Sequence, residues 1–209
     1  MAIVINGSGT VTGISVGGLP DGIVDSGTLA TNSVDSAELI NGAIDAAHLA
    51  SGVGEITEID KWVLTVNKTD SSLISANLER AGSTFGFVSL KGTGMTESSG
   101  VFTFPSTGFW KVIADCHFRR AENDNLGVFI EVTDDNSNWE TQLVNTWASN
   151  KSATGSGSAS HSATDIIKVE DVSLDKVRFA LTSVAASSYL EGSTSYENTV
   201  FTFIKLGAL

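Results

Sequence analysis

The chain has 209 residues and a formal net charge of −12, with 12 Lys and Arg against 24 Asp and Glu. Charged residues make up 17% of the chain, below the roughly 25% of an average soluble domain, which favours a turn-rich β protein over a helical bundle. The acidic balance excludes nucleic acid and anionic membranes as expected partners. No apolar run approaches the roughly 20 residues of a membrane span, so no membrane insertion is expected.

The first predicted segment covers residues 1–22. It lacks the basic start and long apolar core of a signal peptide, so we expect synthesis in a cytoplasm without a secretion route. Short apolar stretches alternate with glycine and small residues, and such a segment has too few apolar side chains to form its own core. We interpret it as an anchor that is ordered by docking onto a partner.

A ten-residue repeat follows in residues 23–55. Each of its three units has a β-branched residue, then Asp, and then Leu five positions after the β-branched one. Asp is a strong helix N-cap, so each unit is predicted to hold an extended step and one helical turn. The repeated apolar positions are Val24, Leu29, Val34, Leu39, Ile44 and Leu49.

These apolar positions predict that the repeat associates with copies of itself. One unit offers two or three apolar side chains, which a single chain cannot bury alone. A single-chain solenoid is an alternative, although its rungs usually need about 20 residues or more. A flexible linker is another, although a linker has no reason to keep regular apolar positions. We therefore predict an extended homotrimeric stalk packed through the six positions.

Residues 56–209 are predicted to form a mainly β head. Apolar residues alternate at period two in several windows. One strand is predicted from Trp110 to Arg119, with Cys116 among the residues facing the core, and others at Leu126–Val132 and Val177–Leu181. Further predicted strands are Lys61–Val66, Phe85–Leu90, Gly100–Phe104, Thr141–Thr146, Asp165–Val169 and Thr199–Leu206.

The number and length of these strands indicate a β-sandwich with a jelly-roll-like topology. The strand at Thr199–Leu206 is apolar on both faces, which predicts a central strand covered on both sides. The stretch Ser149–Ser162 is rich in Ser, Gly and Ala and is predicted to be an exposed loop.

Two parts of the chain resemble known families. Residues 3–54, through Ile5–Thr10 and Ser15–Gly22 and the decapeptides, resemble the shaft and anchor segments of tailed-phage fibres, especially those of marine phages. Residues 83–209, through Gly100–Trp110 and Phe201–Phe203, resemble trimeric jelly-roll heads of the complement component-one-q and tumour-necrosis-factor group. Together the resemblances imply a trimer whose head binds a ligand or caps a fibre.

Residues for catalysis or metal binding are sparse. His48, His117 and His161 do not stand at zinc-ligand spacing from one another or from Cys116. Cys116 is predicted to pack in the core, because the adjacent His117 points to the opposite face of the same strand. We therefore predict a non-enzymatic protein without a cofactor or metal, and a polysaccharide depolymerase has little support.

The turns offer one candidate for calcium binding. The stretch from Asp134 to Asn138 imitates the start of an EF-hand loop, but Trp139 occupies the position of the required Gly. A looser site built from turn carboxylates, with Glu122 and Asp124 as further candidates, stays open from the sequence.

Four aromatic residues are candidates for contact with a receptor. Trp139 and Trp147, with Leu143, have the spacing of one strand face, which predicts core or trimer interface and, alternatively, a platform for stacking glycans. Tyr189 and Tyr196 flank a turn that can present both rings.

The sequence therefore predicts a virion tail fibre that binds a host-surface glycan or protein as a homotrimer, with its N-terminal segment docked onto another virion protein. The alternative is a capsid decoration, a head fibre or a purely structural fibre component without a receptor. Either role places the protein on the virion after synthesis in the host cytoplasm.

Overall fold

The computed structural model describes residues 54–82, 90–120, 125–148, 157–182, 184 and 188–209, with backbone alone at 120, 125 and 143–148. The chain divides into two units, Met1–Val53 and Gly54–Leu209, and every described residue belongs to the second. The predicted anchor, the six stalk packing positions and His48 lie outside the described residues.

The described residues form β-strands and no helix. Accordingly, nothing in this part of the chain is a helix long and apolar enough to cross a membrane. In chain order the strands are β1 (Ile59–Leu64), β2 (Leu78–Arg80), β3 (Leu90–Lys91), β4 (Thr96–Ser98), β5 (Val101–Thr103), β6 (Gly108–Arg120), β7 (Asn125–Thr133), β8 (Glu140–Ala148), β9 (Gly157–Val169), β10 (Lys176–Thr182), β11 (Tyr189–Leu190) and β12 (Val200–Gly207).

The strands form two antiparallel sheets. In the seven-stranded sheet, β9 pairs with β6 along its whole length, while β12 and β11 pair with the two halves of β6. β1 pairs with β12 and, on its other side, with the short strands β2 and β3. The five-stranded sheet has the order β4-β5-β10-β7-β8. Each sheet ends in a long strand, β9 in one and β8 in the other.

Aromatic side chains fill the space between the two sheets. Phe179 of the five-stranded sheet stacks on Phe201 of the seven-stranded sheet with ring centroids 4.2 Å apart. Phe102 and Phe203 also meet across the two sheets, with tilted rings whose centroids are 4.9 Å apart. The fully buried Trp110 donates its indole N–H to the Ser106 carbonyl at 3.1 Å, so its one polar group is satisfied. Rings from both sheets therefore share one core, as in a β-sandwich.

Two carboxylates on β1 and just before it hold the loop that precedes β4. Glu58 accepts the backbone N–H groups of Thr93 and Gly94 at 2.8 and 3.0 Å. Asp60, which is only 1% exposed, accepts the next N–H, that of Met95, at 2.7 Å. Three consecutive backbone N–H groups, those of residues 93–95, are thus occupied by the protein's own carboxylates, and these bonds join β1 to the loop.

The alternating strand patterns are confirmed. On the strand that begins at Trp110, the residues predicted to face the core are all buried, namely Trp110, Val112, Ala114, Cys116 and Phe118. The same holds for Val177, Phe179 and Leu181 on another predicted strand. Strand ends differ by a few residues, as for the first strand, which was predicted from Lys61 and begins at Ile59. Most of the predicted strand Phe85–Leu90 lies outside the described residues, and Leu90 begins β3.

Two sequence interpretations were wrong in part. The predicted loop Ser149–Ser162 ends earlier, because β9 begins at Gly157 and places His161 within a strand. The last strand is central, as predicted, but it is not covered on both sides, since Leu206 is 51% exposed. Ser- and Ala-rich residues form the first half of β9 because pairing with β6 satisfies their backbone groups.

Candidate functional site

Strand register defines two ends of the sandwich. β1 starts at Ile59 opposite Ile204 and runs to Val63 opposite Val200, so the head's first residues and its C-terminus lie at one end. We call this the proximal end; its loops include 104–107, 134–139 and 170–175. The opposite, distal end carries the loops 65–77 and 191–199. Residue 54, the first described residue, lies at the proximal end.

The two tyrosine candidates both lie at the distal end, but they are presented differently. Tyr189 belongs to β11, pairs with Arg119 in register and is half-buried. Tyr196 lies in the loop 191–199 and is 72% exposed, the largest fraction among the exposed large apolar side chains described. The turn between them therefore presents one accessible ring.

The two tryptophan candidates lie near opposite ends of β8. Trp139 precedes β8 at the proximal end, and the register shifts between Ile130 and Glu131, where β8 bulges. The Arg178 guanidinium lies 4.0 Å from the centroid of the Trp139 ring, and its Nε donates to Glu131 at 2.7 Å. Position 147 stands opposite Leu126, near the distal end, and the Trp147 side chain lies outside the described part.

The loop 191–199, which we call the Tyr196 loop, is held by hydrogen bonds along its length. Ser193 donates its N–H to the Leu64 carbonyl at 2.9 Å, and its hydroxyl accepts the N–H groups of Ser195 and Tyr196, both at 3.1 Å. Thr199 donates its hydroxyl to the Glu191 carbonyl at 2.8 Å. The backbone on both sides of the exposed ring is therefore hydrogen-bonded, within the loop and to β1.

Charged groups at both ends of this loop are paired. Glu191 accepts Arg119 Nε at 2.9 Å and lies 3.5 Å from the Nε2 of His117, whose Nδ1 contacts the Ser160 hydroxyl at 2.8 Å. Lys61 donates to Glu197 at 2.8 Å. The carboxylates of the loop are thus already engaged, which leaves the surface around Tyr196 dominated by uncharged polar groups.

A second surface lies on the face of the seven-stranded sheet that points away from the core. Its proximal half exposes Phe109 at 40% and Ile166 at 59%, with Leu206 beside them at the end of β12. Ile113 and Ile204, half-buried, lie on the same face. We call these five residues the proximal sheet face. Lys111 lies between Ile166 and Ile204 in the strand register, and Lys168 lies opposite Phe109, so the apolar side chains of this face are interspersed with two lysines. Exposed large apolar side chains concentrated on one sheet face make it a candidate contact surface.

Chemically reactive groups are few in the described part. The Cys116 thiol is buried, and burial together with the neighbouring Asp115 raises its pKa well above the ordinary range, so it is not a nucleophile at neutral pH. Asp115 and His161 line a shallow cavity of about 280 Å³ with small polar residues.

In the turn considered for calcium binding, a carboxylate is already occupied by backbone N–H groups of the same turn. Asp135 accepts the N–H groups of Ser137 and Asn138, and the Asn138 backbone bond is the main cause of a lowered Asp135 pKa. Among the described residues no group of three His, Cys, Asp or Glu side chains is placed to hold a metal ion. Glu122 and Asp124 lie outside them.

Comparison with known proteins identifies the fold of the head. No protein-family model matches the chain, and no curated protein matches its sequence. The structure of murine APRIL at pH 5.0 matches with a TM-score of 0.52 and 14% identity, over 71% of this chain and 98% of that one. Eiger TNF from S. frugiperda matches with a TM-score of 0.54 and 13% identity, over 74% and 96%. At such identities the likeness shows the fold alone, a jelly-roll sandwich of the tumour-necrosis-factor type.

Proposed function

We propose that this protein is a non-enzymatic fibre of a tailed-phage virion, which forms a homotrimer and presents the distal end of its head to a receptor on the host surface. The observation that carries the proposal is the difference between the two ends of the head. The described chain begins at the proximal end and the exposed ring of Tyr196 lies at the distal end, which supports the distal end as the one that meets a partner. The phage assignment rests on the resemblance of residues 3–54.

Self-association follows from two independent apolar surfaces. The repeat in residues 23–55 has regular Val or Ile and Leu positions that need partner chains, and the proximal sheet face exposes large apolar side chains on the head. Burying a large apolar side chain contributes about 1.5–3 kcal/mol when it is complete. Half of that for each of Phe109 and Ile166 gives roughly 2 kcal/mol for each subunit contact.

The assembly is tested by sedimentation equilibrium of the full chain. We expect a trimer, which the double substitution Phe109→Ser and Ile166→Ser weakens by roughly 30-fold at each contact. The matched control is Val66→Ser, which removes an equally exposed apolar side chain from the distal end and is expected to leave the trimer intact. A wild-type chain that sediments as a monomer would remove the basis for the trimer.

The adhesive role is tested on whole virions. Purified full-length chain added to host cells before the virions is expected to block adsorption, because it occupies the same receptors. Absence of blocking at saturating concentration would contradict this role. Antibody labelling of virions separates the alternative: label on the tail is expected, whereas label on the capsid shell would favour a decoration protein.

The other partners follow from the same assignment. Residues 1–22 dock onto a neighbouring virion protein, and the chain is made in the host cytoplasm and carried outside by the particle. Deletion of residues 1–22 is expected to leave particles without the fibre, which immunoblotting of purified virions measures.

A further inference from the structure

The Tyr196 loop combines three properties that a small binding subsite needs. Its ring is accessible, it lies at the end of the head opposite the start of β1, and its backbone is anchored to β1 through Ser193 and to the neighbouring loop through Gly192, whose N–H donates to Asn67 at 2.9 Å. A preorganised loop loses little conformational entropy when a ligand binds, so more of the contact energy appears as affinity.

Gly192 is required for that anchoring. A Cβ added at this position would overlap the backbone of Val66, because the two segments cross in direct contact. The close crossing fixes the start of the Tyr196 loop against the residues that follow β1.

The chemistry around the ring favours an uncharged ligand. Glu191 and Glu197 are engaged by Arg119 and Lys61, while the hydroxyl-bearing residues 194 and 195 are exposed beside Tyr196. Hydroxyl groups next to an aromatic ring match a sugar, which offers hydroxyl groups at its edge and an apolar C–H face for the ring. An acidic glycan is disfavoured by the chain's net charge of −12.

We propose that the Tyr196 loop binds an uncharged carbohydrate by stacking the Tyr196 ring on a sugar face, with the hydroxyls of Thr194 and Ser195 beside it, and its role in adsorption rests on the function proposed above. A protein partner fits less well, because a stable protein contact buries about 800 Å² on each side around several apolar anchors. At the distal end, Val66 and Tyr196 are the exposed large apolar side chains among the described residues. One weak sugar site in each of three subunits gains strength through avidity.

The test applies the full-length chain and its variants to an array of immobilised oligosaccharides, some of neutral hexoses and N-acetylhexosamines and others containing uronic or sialic acids. We expect wild-type chain to bind at least one neutral glycan, and Tyr196→Ser to lose at least tenfold in apparent affinity. Tyr196→Phe keeps the ring and is expected to retain binding. Leu174→Ser, at an exposed apolar position of the proximal end, is the matched control and is expected to bind normally.

Three outcomes would overturn the inference: no neutral glycan is bound, binding survives Tyr196→Ser, or only acidic glycans are bound. The adsorption assay separates this inference from the proposed function. If wild-type and Tyr196→Ser chains block adsorption equally well, the role of the sugar site in adsorption is wrong and the adhesive function stands. If the array shows Tyr196-dependent binding but no chain blocks adsorption, the sugar site stands and the adhesive function is wrong.

Discussion

Replacement of Asp60 by alanine is expected to destabilise the head strongly. The buried carboxylate accepts Trp62 Nε1 at 2.8 Å, Arg80 Nε at 2.8 Å and the Met95 N–H at 2.7 Å. Removal of one member of a buried ion pair typically costs about 3–5 kcal/mol, because the partners remain buried without an acceptor. The Arg80 side chain is 35% exposed and keeps its bond to the Met95 carbonyl, so we expect the low end, about 3 kcal/mol.

The measurement is urea unfolding of the full chain followed by tryptophan fluorescence at one fixed concentration, since self-association adds to apparent stability. Asp60→Asn keeps the shape and one acceptor oxygen and is expected to lose about 2 kcal/mol. Lys91→Gln is the control: its partner Glu55 is 3.7 Å away on the surface, and a change within about 0.5 kcal/mol is expected. A loss below about 1 kcal/mol for Asp60→Ala would refute the reasoning, because the hydrogen bonds of the buried carboxylate would then contribute no more than an ordinary surface contact.

Three further predictions concern the core, a glycine and the buried thiol. Phe179→Ala leaves a cavity between the sheets and is expected to cost about 3–5 kcal/mol in the same urea assay. Gly100→Ala, at φ +83° with a new Cβ overlapping the Ile74 carbonyl, is expected to cost at least about 2 kcal/mol, whereas Ser99→Gly, at φ 51°, is expected to lose less than about 1 kcal/mol. Burial raises the folded-state pKa of the Cys116 thiol. The thiol's contribution to the free energy of unfolding is therefore complete below its unfolded pKa of about 8.5, and it declines as pH rises above that value. Unfolding free energies measured between pH 8 and 10 are expected to fall more steeply for wild-type chain than for Cys116→Ala, and parallel curves would contradict this.

Much of the head was predictable because alternation is a local property. A strand with one face in the core, such as the one carrying Trp110 and Cys116, has its buried residues two apart whatever its neighbours are. The first half of β9 carried no such signal. Ser158 and Ser160 show no preference for a strand, and they adopt one because thirteen consecutive positions of β6 are available for pairing.

The candidate site was only partly predictable for a related reason. The sequence around Tyr196 indicates a turn, and a turn at the surface exposes its aromatic residue. Trp139 and Leu143 have the spacing of one strand face, but the bulge in β8 interrupts the alternation between them. A bulge depends on which residues of two strands face each other, and one strand's sequence does not contain that information.

Composition and residue patterns were enough to establish a β-rich head and the core-facing side chains of its alternating strands, and they predict a repeat that needs partner chains. These properties follow from interactions between residues close in sequence, or from the demand that apolar side chains be buried. The end of the head at which the described chain begins, and the ring exposed at the opposite end, are properties of strand register and of contacts between distant segments. β1 and β12 are separated by more than a hundred residues, and their antiparallel pairing puts the start of β1 at one end of the sandwich and Tyr196 at the other.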